Sequence, residues 1–285
     1  MDELKTLENL PTAEIIELAY SNQDEEEYWS HIAILHQRGT ICEFEAAKEL
    51  CGSADPIKRE IGADILGQLG WSERTFQKES VEILIGLLTD PEEDVVASAA
   101  FSLGHRNTAT AIPELVKLIH HPNDRARFGV TTGLSCHVDS QAIEGLIVLS
   151  KDDSEEVRNW ATFGLGTQIE TNSPEICNAL LARLSEENQE IRGEALVGLA
   201  RRKHPDTIKY VIDELNGQVI NVLILEAAAL LESSELYALL MKWKNVEGED
   251  DSAYFDDELE DALKACSPDR PEHNQEDAPD PKAVR

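Results

Sequence analysis

An all-α solenoid of about seven helical hairpins is the fold the sequence predicts, and three observations predict it. The first is self-similarity at a period of tens of residues. The segments "EYWSHIAILH" (27–36), "KREIGADILG" (58–67), "VVASAAFSLG" (95–104), "ARFGVTTGLS" (126–135), "VRNWATFGLG" (157–166), "IRGEALVGLA" (191–200) and "LILEAAALLE" (223–232) share a register leucine. Leu35, Leu66, Leu103, Leu134, Leu165, Leu199 and Leu231 follow at steps of 31, 37, 31, 31, 34 and 32 residues. The second is an apolar helix pattern between the copies, as in "SVEILIGLLTD" (80–90), "TAIPELVKLIHH" (110–121), "SQAIEGLIVLSKD" (140–152) and "SPEICNALLARLSEE" (173–187). Apolar residues three and four apart form one stripe on such a helix. The third is that no stretch alternates apolar and polar residues as a half-buried strand would.

Each unit therefore reads as a helical hairpin. The connectors carry Asp90-Pro91, His121-Pro122, Asp152-Asp153 and Glu186-Glu187-Asn188, residues that suit a helix start and its positive dipole end. With Leu165 as origin and a turn of ~100° per residue, Val157, Ala161, Gly164 and Leu165 share the face that packs into the core. The position of Ala161 stays small in other copies (Gly62, Ala99, Ala195, Ala227), so neighbouring helices can approach closely. Arg158 borders that face and recurs as Arg59, Arg127 and Arg192, with Val96 and Ile224 as exceptions. A recurrent, partly buried arginine needs a partner, and the acidic connector of an adjacent unit is the expected one. The hairpins are expected over 1–244 and an acidic linker over 245–251. Residues 252–266 are expected as a capping helix that turns Phe255, Leu259, Ala262, Leu263 and Cys266 to the stack, and 267–285 as a disordered acidic tail with almost no apolar residues.

The face opposite the core is where a function would sit. Phe163 and Asn159 point there, Phe101, Phe128 and Thr132 hold equivalent outward positions, and Trp160 flanks them. Two readings are open: an aromatic anchor patch for a protein partner, or rings that pack across adjacent helices. Glu60, Asp64, Glu194 and Glu226 are expected as exposed acids on or beside the same surface.

Composition narrows the function. With Asp+Glu 56 against Lys+Arg 25, the net charge is −31, which repels nucleic-acid phosphates and anionic membranes and steers in a basic partner. A helical-repeat DNA glycosylase would need a basic groove, and its stripe of Lys and Arg is missing. No stretch has the length of a membrane span, and "MDELKTLENLPTAEIIELA" lacks a secretion signal, so a cytoplasmic monomer is expected. Cys42, Cys51, Cys136, Cys177 and Cys266 read as reduced, mostly core cysteines. None of the eight histidines precedes a glutamate. His120 and His121 project ~100° apart, a poor chelating geometry that suits hydrogen bonding at a helix end. Spaced Cys pairs, a phosphate loop and a nucleophile elbow are all missing. No catalytic residue, metal or cofactor is expected.

The repeats, with an arginine three residues before a small residue and a closing Leu-Gly, resemble HEAT repeats of the short bacterial type related to phycobilisome-lyase repeats. That resemblance implies a right-handed superhelix whose second helices line a concave, protein-binding face. "KREIGADILGQLG" (58–70), "EVRNWATFGLGTQ" (156–168) and "EIRGEALVGLARRK" (190–203) are moreover similar to a group of bacterial HEAT-repeat proteins, some encoded beside Rhs-type toxins and regarded as their immunity proteins. The implied function is a non-catalytic scaffold that neutralises a basic, nuclease-like toxin domain. The alternative is a helical-repeat enzyme or chromophore lyase-like protein.

Overall fold

The computed structural model describes residues 7–22, 24–244 and 253–269. Sixteen α-helices and no strand occur among the described residues. They are α1 (Thr12–Ser21), α2 (Glu25–Arg38), α3 (Ile41–Cys51), α4 (Pro56–Gln68), α5 (Gln77–Leu87), α6 (Glu93–Arg106), α7 (Ile112–Leu115) and α8 (Asp124–Leu134), followed by α9 (Ser140–Leu149), α10 (Glu155–Phe163), α11 (Pro174–Arg183), α12 (Gln189–Arg201), α13 (Thr207–Leu215), α14 (Val222–Leu231), α15 (Tyr237–Trp243) and α16 (Ala253–Ala265). The seven register leucines fall on or just beyond the second helix of each hairpin, from α2 to α14. Leu35, Leu66, Leu134, Leu165 and Leu199 are fully buried.

The chain divides into two compact units, Met1–Gly198 and Leu199–Arg285. In the first, the second helices α4, α6, α8, α10 and α12 stack side by side and run parallel. Arg125 at the start of α8 meets Asp94 at the start of α6 at 3.1 Å, while a Cβ on Gly104 near the end of α6 would meet Thr132 near the end of α8. Asn188 before α12 reaches Glu155 at the start of α10 at 2.9 Å. In the second unit α16 packs along α14 and α15. There Leu259, Ala262, Leu263 and Cys266 are buried, while Phe255 is half-buried. The expected linker 245–251 and the tail beyond residue 269 lie outside the described residues.

One device recurs at the joints between hairpins. The arginine at the fourth position of a second helix donates Nη1 to the two carbonyls just before that helix: Arg59 to Ser53 and Ala54, Arg127 to His121 and Pro122, Arg158 to Asp152 and Asp153, Arg192 to Glu186 and Glu187. In three of the four the remaining nitrogens reach the acid of the next connector. Arg59 holds Asp90 with two bonds of 2.7 and 2.8 Å, Arg127 holds Asp152 likewise, and Arg158 meets Glu186 at 3.3 Å. Carbonyls without helical partners and a connector carboxylate are thus satisfied by one planar fork.

The second helices also stop alike. A left-handed residue follows four of them four positions after the register leucine: Gly39, Gly70, Asn107 and Lys203. Cys136 and Glu232 do the same work earlier. In the fifth hairpin a π turn, Gly164–Gln168, replaces the left-handed stop, with the Ile169 N–H donating to the Gly164 carbonyl at 3.1 Å. The helix expected over 110–121 is the one that departs from its pattern. Only Ile112–Leu115 is α-helical, flanked by 3-10 turns at Ala109–Ala111 and Val116–Leu118, with Pro113 confined to a first turn where its missing N–H is harmless. Cys42 and Cys136 are exposed, whereas Cys51, Cys177 and Cys266 are buried. His121 lies three residues beyond the last 3-10 turn, its Nδ1 accepting from the Asn123 N–H at 3.2 Å.

Candidate functional site

The four rings singled out in the sequence meet. Phe101 on α6 stacks on Phe128 of α8 with centroids 5.7 Å apart and planes at 21°. Phe128 meets Trp160 of α10 edge-on at 5.7 Å, and Trp160 meets Phe163 of its own helix in the same way. His105, one turn beyond Phe101, extends the strip with a T-shaped contact at 4.6 Å. The sequence analysis passed over His105, although its i,i+4 spacing from Phe101 is a readable signal. Close main-chain approach makes this strip possible. A Cβ on Gly129 would fall 2.7 Å from the Phe101 nitrogen and 2.9 Å from the Ala97 carbonyl, so α8 lies against α6 and their phenylalanines overlap.

The rings are not outward in the full sense expected. Phe101, Phe128 and Phe163 are half-buried because each ring covers its neighbour, and Trp160 is 41 % exposed. Packing across helices and an accessible apolar strip are the same feature here. Thr132 spends its hydroxyl on the Gly129 carbonyl of its own helix at 2.8 Å. Asn159 differs: its Oδ1 is buried and has no hydrogen-bond partner.

The acids need correction. Asp64 is 6 % exposed rather than a surface charge, because Tyr28 of the preceding hairpin lies over it and donates its hydroxyl to Oδ2 at 2.6 Å. Burial, opposed by that hydrogen bond and reinforced by Glu60, pushes the Asp64 carboxyl up to about 7. Burial likewise raises the Tyr28 phenol, with Asp64 adding to it. Beneath them His36 donates Nε2–H to the Asp64 carbonyl at 2.9 Å, and burial brings its pKa down to about 4. Glu60 is half-buried, raised by burial, and lies 4.0 Å from Arg125, which also pairs with Asp94. Glu194 receives the Thr167 hydroxyl at 3.4 Å. Glu226, in the second unit, pairs there with Arg201 at 2.9 Å. All four acids thus have partners within the chain.

Other acids accompany the rings. Asp94, Asp124 and Glu156 are exposed and lie seven, four and four residues before Phe101, Phe128 and Trp160, spacings that put acid and ring on one helix face. Among the described residues no group of three His, Cys, Asp or Glu is placed to hold a metal ion, and no helix is long and apolar enough to cross a membrane.

Parallel second helices, arginine clamps at the hairpin joints and a ring strip on the stacked helices define a repeat protein of the HEAT type. HEAT repeats match residues 44–135, 80–166 and 143–232, and the chain belongs to that family. It is 30 % identical over 218 residues to protein YibA of Escherichia coli K12, a match that spans 74 % of this chain and 77 % of YibA. An X-ray structure of Escherichia coli YibA superposes with a TM-score of 0.69 at 26 % identity, covering 92 % of this chain and 96 % of that one. Kap121p in its structure bound to Ste12p shares the fold, with a TM-score of 0.64 at 14 % identity over 92 % of this chain and 34 % of that one.

Proposed function

We propose that this protein is a non-catalytic scaffold that binds one polypeptide partner on the face formed by α6, α8 and α10. The strip Phe101–Phe128–Trp160–Phe163 carries the reading. Its rings form one continuous apolar track left partly in water, and covering such surface stabilises a complex by ~25 cal/mol per Å² of apolar area. Tryptophan and neighbouring aromatics are the side chains on which binding energy concentrates. Kap121p is bound to Ste12p in one structure and to Nup53p in another, so a stack of this kind can carry a protein.

The net charge of −31 favours a basic partner through long-range attraction. A basic toxin domain encoded nearby, which this cytoplasmic monomer would neutralise, is the partner suggested by the resemblance to HEAT-repeat proteins beside Rhs-type toxins. A photo-cross-linking residue in place of Phe128, expressed in the native host, tests the reading. The expected product is one dominant adduct with a basic protein, lost on Trp160→Ala. Only self-adducts, or an adduct indifferent to Trp160→Ala, would overturn it.

A further inference from the structure

Resting on that reading, we infer that the ring strip receives an extended, basic segment of the partner, with cationic side chains about three residues apart, rather than a folded surface. The strip is narrow and crosses three parallel helices. Side-by-side helices lie ~8–10 Å apart and an extended chain advances ~3.3 Å per residue, so successive helices are reached by every third residue.

Two of these helices offer the same pair of features on one face, an exposed acid and then a ring, Asp124 with Phe128 and Glu156 with Trp160, while on the third Phe101 follows Asp94, which Arg125 already holds. A lysine or arginine side chain fits this pair, its aliphatic stem on the ring and its charge by the carboxylate. The cations of the face do not oppose such a segment. Arg125 is paired with Asp94 and Glu60, Arg127 with Asp152, and Arg158 with Glu186. The strip thus presents acids to a ligand and keeps its arginines occupied.

Asn159 supplies an independent observation. Its Oδ1 is buried without a hydrogen bond, next to Trp160 in sequence and one turn before Phe163 on the same face. A buried acceptor left unmade costs stability. An extended segment carries main-chain N–H donors, and rotation of the Asn159 amide from beside Trp160 would give one of them this acceptor. A folded partner whose N–H groups are already spent in its own helices and sheets would offer no such donor.

The test compares three twelve-residue peptides by fluorescence anisotropy at low and high salt: arginine at every third position among serine and leucine, the same composition with its arginines clustered at one end, and the spaced peptide with glutamate for arginine. The spaced basic peptide is expected to bind on the order of tenfold more tightly than the clustered one, and more weakly at high salt. The glutamate peptide is expected not to bind. Asp124→Asn with Glu156→Gln, which keeps polar groups at both helix starts, should weaken the spaced peptide on the order of tenfold. Asn159→Leu should weaken it while raising the melting temperature, an outcome that a purely structural asparagine would not give. Equal affinity for spaced and clustered peptides, or indifference to the two acid substitutions, overturns the inference. If a Phe128 cross-link captures a basic partner while no peptide binds, the extended-segment inference falls and the scaffold reading stands. If Trp160→Ala alters neither, both fall.

Discussion

A side chain at Gly198 would begin 2.5 Å from the Cα of Gly166, so the π turn after α10 and the helix α12 touch main chain to main chain. The reverse approach is as tight, since a Cβ on Gly166 would lie 2.9 Å from the Glu194 carbonyl. Backbone cannot yield as a side chain would. Gly198→Ala is expected to destabilise the protein by about 2 kcal/mol, read as a lower midpoint in urea. Gly86 in α5 is the control, with nothing within 4 Å of its added Cβ. There alanine should add about 0.5 kcal/mol through helix propensity. Similar effects at the two sites would mean that the close contact is not what fixes Gly198.

The arginine clamps predict a pH-dependent loss. Burial acts to raise the Asp152 carboxyl, but the hydrogen bonds from Arg127 and from the Ser154 N–H overcome it and hold the group below its ordinary range. An acid depressed in the folded state contributes stability above its unfolded pKa and loses it as the pH falls through the folded value. Asp152→Asn should therefore cost about 3 kcal/mol near neutrality and less at an acid pH low enough to protonate the depressed Asp152 carboxyl. Urea titrations at the two pH values decide this. A cost independent of pH would show that the carboxylate charge is not what matters.

Asp64 predicts the opposite slope. Its pKa, raised to about 7 by burial, means that the folded state holds a proton which the unfolded chain releases near pH 4. Stability from this group is present in acid and lost as the pH rises between about 4 and 7, by up to ~1.4 kcal/mol per pH unit. His36, lowered to about 4 by burial, works against it: its contribution is full above ~6.5 and is lost as the pH falls toward about 4. The two residues are tied by the His36–Asp64 carbonyl bond and largely offset each other in that window. Asp64→Asn should unmask the histidine, so that stability rises with pH between about 4 and 6.5. A variant whose profile parallels the parent's would show that Asp64 is ionised throughout.

Asp64 also marks what the sequence could not disclose. Periodicity alone located the hairpins, and the recurrence of Arg59, Arg127, Arg158 and Arg192 announced clamps, of which Arg59, Arg127 and Arg158 hold the acid of an adjacent connector. The helical wheel put Asp64, Phe101, Thr132 and Phe163 at one position of the repeat. It could not say what lies over that position. For Asp64 the cover is Tyr28, thirty-six residues earlier; for Phe101 and Phe128 it is each other's ring. Exposure is a tertiary quantity, decided by the adjacent repeat, whereas the sequence pattern of one helix specifies only direction.

Arg106 gives the last prediction. It is fully buried at the end of α6, with no carboxylate in salt-bridge range among the described residues. Its Nε donates to the Leu66 carbonyl at 2.6 Å, and Nη1 donates to the Thr75 carbonyl and to Gln77 Oε1, both at 3.2 Å. Its own carbonyl accepts from Arg74 and Gln77. Burial, with Arg74 nearby, lowers its pKa to about 10. What this costly cation holds is a loop bearing three non-glycine residues in the left-handed region, Trp71, Arg74 and Phe76, each of which costs on the order of 1 kcal/mol. Phe76 is pinned by stacking on Phe44 at 4.6 Å, while Trp71 stands 54 % exposed. Arg106→Leu removes the cation but leaves the Leu66 and Thr75 carbonyls without these donors, and should destabilise by about 2 kcal/mol. Arg106→Lys cannot span three acceptors and should do nearly as badly. In both variants amide hydrogen exchange should accelerate first at residues 70–77, because the strained loop is the segment that gains most by opening. Uniform acceleration across α4 and α6, with no excess in the loop, would reduce Arg106 to a space-filling member of the core.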